Sequence, residues 1–228
     1  GLFQIGVEMA TDDYEAGPRA RNAHVRAISN LTHDASNDRM EQLWKQSYDA
    51  INASNLNIVA IERIPADKID ATIQKRLILE ARFLRALHYF NLVRWFGDVP
   101  LQLQPIANLS KEELQVTKST EAQVYTQIIA DLQAAEALPN YKAYSDADRG
   151  RASSGAAKSL LAKVYLTQKD YAKAKAKAAE VVEQEGYELF EDFADVFHVE
   201  KKNGKEHIFS AQFKGNVGYQ GNALAGRS

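Results

Sequence analysis

The run Ile78 to Leu101, ILEARFLRALHYFNLVRWFGDVPL, is apolar on almost every side yet carries Glu80, Arg82, Arg85 and Arg94. A membrane span of about 20 residues needs few or no charges, so four charged side chains at these intervals argue against an isolated spanning helix. The reading that remains is a helix buried among other helices, its arginines reaching carboxylates or the surface along their apolar stems. Its end is marked twice. Gly97 can take the left-handed conformation at a helix terminus, and Pro100 cannot continue the helix.

A chain built around such a helix must supply the helices that cover it. With 228 residues, 45% hydrophobic and 25% charged, it is long enough for one sizeable core or two small ones. Residues 8–38 are polar and rich in loop formers around short helical pieces. From Arg39, Leu43, Tyr48, Ile51, Leu56 and Ile58 to Ile61 keep helical spacing until Pro65. Thr120 with Gln123 fits a capping box, and Val124, Ile128, Ile129, Leu132 and Ala135 form an apolar face up to Pro139. After a loop from Asn140 to Arg151, Ser153 or Ser154 caps a helix to about Leu166, and a last helix spans Tyr171 to Gln184. Ala162, Tyr165, Tyr171, Ala174 and Ala178 sit where a tetratricopeptide hairpin places its small and aromatic packing residues. Beyond Gly186, YELF and HIFSAQF are ambiguous between edge strand and loop. The expected layout is a loop-rich segment over 1–38, a first helical pair over 39–100, further helices over 119–185 and irregular chain over 186–228.

The charge balance excludes some functions. A formal net charge of −2 provides no global basic field for nucleic acid. The series Lys163, Lys169, Lys173, Lys175 and Lys177 alternates with alanine and precedes Glu180, Glu183 and Glu185, the pattern of a solvated helix face. Without cysteine there is no disulfide, thiolate zinc site or thiol nucleophile. The first residues are Gly-Leu-Phe and the last are the turn-rich GNVGYQGNALAGRS, so the chain is expected to be a portion of a longer protein.

Chemical motifs are few. RGRASSGAAKS, from Arg149 to Ser159, imitates a phosphate loop, but two alanines separate Gly155 from Lys158 and no strand precedes it. A helix N-cap accounts for it. Asp34, Ser36 and Asp38 imitate the start of a calcium loop, with Arg39 where glycine and Lys45 where glutamate is required. A looser calcium site using Asp12 or Asp13 stays open, and no metal is assigned. His24, His33, His88, His198 and His207 lack ligand spacing, and no G-x-S-x-G elbow is present. Nothing specifies the facing carboxylates, roughly 5–10 Å apart, that glycoside hydrolysis needs.

Aromatic residues in polar stretches are the functional reserve. Tyr14 lies beside Arg19, Arg21, Asn22 and His24 with no helical period to bury it, and Tyr141, Tyr144 and Tyr219 fall in expected loops. An exposed ring flanked by hydrogen-bonding side chains suits a sugar, which offers C–H groups on its face and hydroxyls at its rim. The ligand-binding candidates are Tyr14, Arg19, Arg21, Asn22, His24 and Tyr219.

EARFLRALHYFNLVRWFGDVPL closely resembles the signature helix and turn of the SusD/RagB family of Bacteroidetes. Other blocks agree in order: WKQSYDAINASNLNIVAIERIP, STEAQVYTQIIADLQAAEALP, GRASSGAAKSLLAKVYLTQKDYAKA, GYELFEDFADVF and KEHIFSAQF. The resemblance implies a mainly all-α fold of stacked tetratricopeptide-like hairpins with long loops and little β structure. It also implies a non-catalytic lipoprotein of the outer membrane that needs no cofactor. Such a protein captures glycans at the cell surface and delivers them to a SusC-like TonB-dependent transporter. Some members take peptides. The helical pairs then serve as scaffold, while loops, including the one after Asp12 and Asp13, build the ligand site. Two readings stand beside it: a helical-repeat module that binds only protein, and an α-helical glycoside hydrolase.

Overall fold

In a computed structural model describing residues 2–18, 20–106 and 115–212, the apolar run lies within a helix of 26 residues, Ala71–Phe96. Six other α-helices accompany it among the described residues. In chain order they are α1 (Leu2–Val7), α2 (Ala23–Ser29), α3 (Asp38–Glu62), α4 (Ala71–Phe96), α5 (Glu121–Ala135), α6 (Ser154–Thr167) and α7 (Tyr171–Gln184). No strand forms among them; Val99 and Ser119 make one isolated bridge. None of these helices is long and apolar enough to cross a membrane.

The chain divides into two compact units. One holds residues 1–49 with 212–228, and the other holds 50–211, so α3 runs through the division. In the larger unit α4 packs mainly on α5, α5 on α6, and α6 on α7. Helix α4 is buried round most of its circumference, with Leu79, Ala81, Phe83, Ala86, Tyr89, Phe90, Leu92 and Val93 all inside. Val124, Ile128 and Leu132 of α5 and Leu161 and Val164 of α6 are completely enclosed, so the spacing seen in the sequence is the packing face. The helix begins two turns before the apolar run, where Asp70 caps it by accepting from the Thr72 and Ile73 amides at 2.8 and 3.0 Å. The polar first turns, Thr72 to Arg76, carry no apolar period to betray it.

Termini follow local chemistry. Gly97 takes φ 67° and donates its amide to the Val93 carbonyl at 3.0 Å, the conformation that favours glycine at a helix end. Thr120 and Gln123 form the reciprocal capping box of α5. Ser153 caps α6 by accepting from the Ala156 amide. The phosphate-loop look-alike is therefore a helix start. At Gly155 a β-carbon would lie 2.5 Å from the Tyr187 ring, and Lys158 donates to the Glu185 carboxylate at 2.7 Å. Burial opposes ionisation of Glu185, but Lys158, Ser154 and Asn140 outweigh it and hold the carboxyl below its usual range.

Within the apolar run Glu80, Arg85 and Arg94 find partners on or around the helix, and Asp98 in the turn accepts from the Glu121 amide at 2.8 Å. Arg85, 7% exposed, donates through Nε and Nη2 to both oxygens of Asp131 at 2.8 Å each, and through Nη1 to the Asn55 carbonyl oxygen at 2.9 Å. Asn55 in turn donates to the Gln102 carbonyl at 3.1 Å. The Tyr89 hydroxyl, which donates to that same carbonyl at 2.9 Å, accepts from the Gln102 amide at 2.7 Å. Glu80 pairs with Arg151 and faces Arg76, fastening the loop before α6 to α4. Burial lifts the Glu80 carboxyl above its ordinary value despite the two guanidiniums. Arg94 donates to the Phe90 carbonyl and to Asn91, and its guanidinium lies 4.2 Å above the Phe90 ring.

The last hairpin departs from expectation in part. Tyr165 and Ala174 are buried and Ala162 is half-buried, but Ala178 is exposed and Tyr171 stands 64% exposed. No described helix covers that side of α7, so repeat spacing alone does not enclose them. The chain after Gly186 forms short 3₁₀ turns at Phe193–Phe197 and Val199–Lys201, with no strand among its described residues.

Because Arg85 and Asp131 are both enclosed, removing either should cost roughly 3–5 kcal/mol by leaving an uncompensated charge. Urea denaturation should show that loss for Arg85→Met and for Asp131→Leu. The double variant, with no charge left to strand, should lose far less than the sum.

Candidate functional site

In the smaller unit the described residues 11–18 and 20–22 are loop, pinned at both ends. Thr11 and Tyr14 close a turn through the Tyr14 amide and the Thr11 carbonyl at 3.4 Å. The Ala16 amide donates to the Ser29 hydroxyl at 2.9 Å, fixing the middle of the loop to α2. At the far end Asn22 caps α2, its Oδ1 accepting from the Val25 amide at 3.0 Å. Between these ties Asp12, Asp13 and Tyr14 are exposed, Tyr14 to 51%.

The sequence candidates take different positions. Tyr14 and Arg21 are exposed side chains of the loop. Asn22 commits its carbonyl oxygen to the cap. His24 is used locally as well: its ring Nδ1 accepts from the Asp38 amide at 3.3 Å, and its carbonyl accepts from the Asn37 amide group at 3.0 Å. An accepting Nδ1 places the proton of the neutral ring on Nε2. Together these contacts tie the start of α2 to the start of α3. Arg19 and Tyr219 lie outside the described residues. Of the other loop tyrosines, Tyr144 is buried with its hydroxyl donated to the Ala152 carbonyl at 2.7 Å. Tyr141 stacks on Tyr187 at 4.4 Å and donates to the Gly186 carbonyl. Tyr141 thus holds the 3₁₀ turn at Tyr141–Ala143 against the chain after α7, with one ring face covered by Tyr187, and Tyr144 ties the end of that turn to the start of α6.

Two aromatic pairs escape sequence reading. On α3, Trp44 and Tyr48 sit one turn apart with ring centroids 5.0 Å from each other, half-buried in the smaller unit that also carries the Tyr14 loop. Their spacing of four is the signal, hidden because Tyr48 also fits a core period. In the larger unit Phe193 and Phe197 meet edge to face at 5.5 Å and stand 76% and 73% exposed. Nothing about a Phe-x-x-x-Phe spacing distinguishes an exposed pair from a core pair. The calcium-loop look-alike is a turn: Asp34 Oδ1 accepts from the Ser36 amide and hydroxyl, which hold its carboxyl below the usual range. Among the described residues no three His, Asp or Glu side chains converge to hold a metal ion.

Residues 6–166 match the family described as starch-binding and associating with the outer membrane. The chain belongs to the SusD-like family. It is 31% identical to SusD-like protein P2 of Formosa agariphila over 91% of this chain and 40% of that protein. Among solved structures it superposes on a laminarin-binding SusD-like protein with TM-score 0.77 and 33% identity, covering 89% of this chain and 46% of the other. A structure solved with a xylogluco-oligosaccharide gives TM-score 0.80 at 26% identity, covering 98% of this chain and 44% of that one.

The SusD-like chain thus spans less than half the length of these relatives. Its helices α4 to α6 commit the enclosed polar side chains Arg85, Asp131 and Ser154 to the fold, whereas the loop after Asp12 and Asp13 leaves Tyr14 and Arg21 to solvent. This division separates two kinds of substitution. Asn22→Ala should lower stability by about 1 kcal/mol through loss of the cap. Tyr14→Ala, at an exposed position, should shift it by less than about 0.5 kcal/mol. Urea titration of the two variants checks both.

Proposed function

We propose that this chain contributes scaffold and ligand-capturing loop to a cell-surface protein that binds oligosaccharides or polysaccharides. The protein delivers them to a SusC-like TonB-dependent transporter and is held at the outer membrane by an N-terminal lipid anchor. In this reading the chain binds glycan without cleaving it. The observation that carries it is the 33% identity to a laminarin-binding SusD-like protein across 89% of this chain, supported by the likeness to the protein solved with a xylogluco-oligosaccharide. In the smaller unit, Tyr14 presents a ring face for sugar C–H groups, and Arg21 beside it in sequence donates to hydroxyls. Arg19, Asn22, His24 and Tyr219 are proposed to complete the polar rim.

A second reading, docking of a protein by the helical pairs, is favoured by the exposure of Leu166, Tyr171 and Val182 at 56%, 64% and 76%. The two readings differ in which substitution matters. In gels containing laminarin or xyloglucan, the chain should migrate more slowly than in plain gels. Tyr14→Ala should weaken that retardation about tenfold in apparent affinity, the size of one lost aromatic contact. The polysaccharide should remain uncut. Equal mobility in every gel contradicts glycan capture by these residues and favours the protein-docking reading, as does full retardation of Tyr14→Ala against the role given to that ring.

A further inference from the structure

Arg82 is the one charge of the apolar run that the fold does not satisfy. Its Nε is buried without an acceptor, and the guanidinium makes no ion pair with a described residue. Arg82 as a whole is half-buried, and a donor atom such as its Nε, taken from water without a partner, costs free energy and calls for a reason. Arg82 borders a cleft of about 310 Å³ between the end of α3 and the outer face of α4. Glu62, Gln74, Lys75, Ile78 and Leu79 line it as well. Positions 75, 78, 79 and 82 share one helix face, which places both cations along the same wall.

The acceptors are equally unspent. Gln74 donates its amide nitrogen to the Ile61 and Ile64 carbonyls at 2.9 and 3.3 Å, which leaves Oε1 for another donor. The Glu62 carboxylate and the Lys75 ammonium make no ion pair among the described residues. Arg76, one residue on, is already engaged with Glu80 and Asp148, so the cleft's positive charge comes from Arg82 and Lys75. Ile78 and Leu79 supply an apolar floor. The cleft therefore offers two cationic donors, two acceptors and an apolar face in a volume at the lower end of ligand pockets.

We infer that this cleft binds an acidic sugar, a pyranose carrying a carboxylate or a sulfate ester. Arg82 and Lys75 hold the oxyanion, Arg82 in the two-pronged manner suited to planar and tetrahedral oxyanions. Glu62 and Gln74 Oε1 accept from ring hydroxyls, and Ile78 with Leu79 meets the C–H face. The site lies in the larger unit, shares no residue with the Tyr14 loop and does not rest on glycan capture there.

Isothermal titration of the full chain with glucose, sodium glucuronate, glucose 6-sulfate and inorganic sulfate tests the assignment and separates the two acid groups. At least one acidic sugar should bind more tightly than both glucose and inorganic sulfate, and its affinity should fall as sodium chloride is raised. Arg82→Met, which keeps the stem, should weaken it by about tenfold or more. Lys75→Gln, at an exposed position, should weaken it less while melting like the parent; it decides the matter if Arg82→Met does not fold. The inference is overturned if glucose or inorganic sulfate binds as well as the acidic sugars. It is equally overturned if the folded variants bind like the parent.

Discussion

The guanidinium of Arg85 and the carboxylate of Asp131 form the contact on which the larger unit depends. Two parallel bonds of 2.8 Å join α4 to α5 inside the core, and the third prong reaches Asn55 on α3. One side chain thus fixes the rotation of three helices at once. A buried pair of this kind adds little net stability over an apolar equivalent. Its effect is on geometry, because a planar fork satisfies both oxygens in only a narrow range of helix positions. Asn55 and Tyr89 extend the same network to the backbone at Gln102, so the chain leaving α4 is positioned by the side chains that orient the helices.

Much of this architecture was legible because it rests on local rules. The capping box at Thr120, the positive φ at Gly97 and the cap at Ser153 follow from backbone chemistry that a few residues specify. The apolar periods of α5 and α6 are also the faces that pack. Less legible were features set by distant partners. Nothing in ILEARFLRALHYF says that Arg85 meets a carboxylate 46 positions away while Arg82 meets none. Repeat spacing placed Tyr171 inside, but a residue is buried only if another element covers it, and none of the described helices does. Tyr141 and Tyr144 stand out by loop position alone; the Tyr144 hydroxyl closes the loop before α6, and the Tyr141 hydroxyl reaches the chain after α7.

Of the proposed ligand residues, the exposed ones were the easier to see. Tyr14 and Arg21 lack a helical period and are exposed, whereas Asn22 and His24, equally polar in sequence, are drawn into capping α2 and meeting the start of α3. A short polar side chain beside a helix start serves the helix as readily as a ligand. The proposal that the loop captures ligand rests on the contrast between a helical core whose enclosed pair, Arg85 and Asp131, is satisfied within the fold and a loop that leaves Tyr14 and Arg21 exposed. It matches a family whose members include a laminarin-binding protein.

Hydrogen–deuterium exchange of the chain with and without a laminarin oligosaccharide tests that division most directly. Slower exchange confined to amides of residues 11–22 and their neighbours, with α4 and α5 unchanged and the oligosaccharide intact, is the predicted result. Ligand-dependent protection appearing only in the helices, or shortening of the oligosaccharide during incubation, would contradict it.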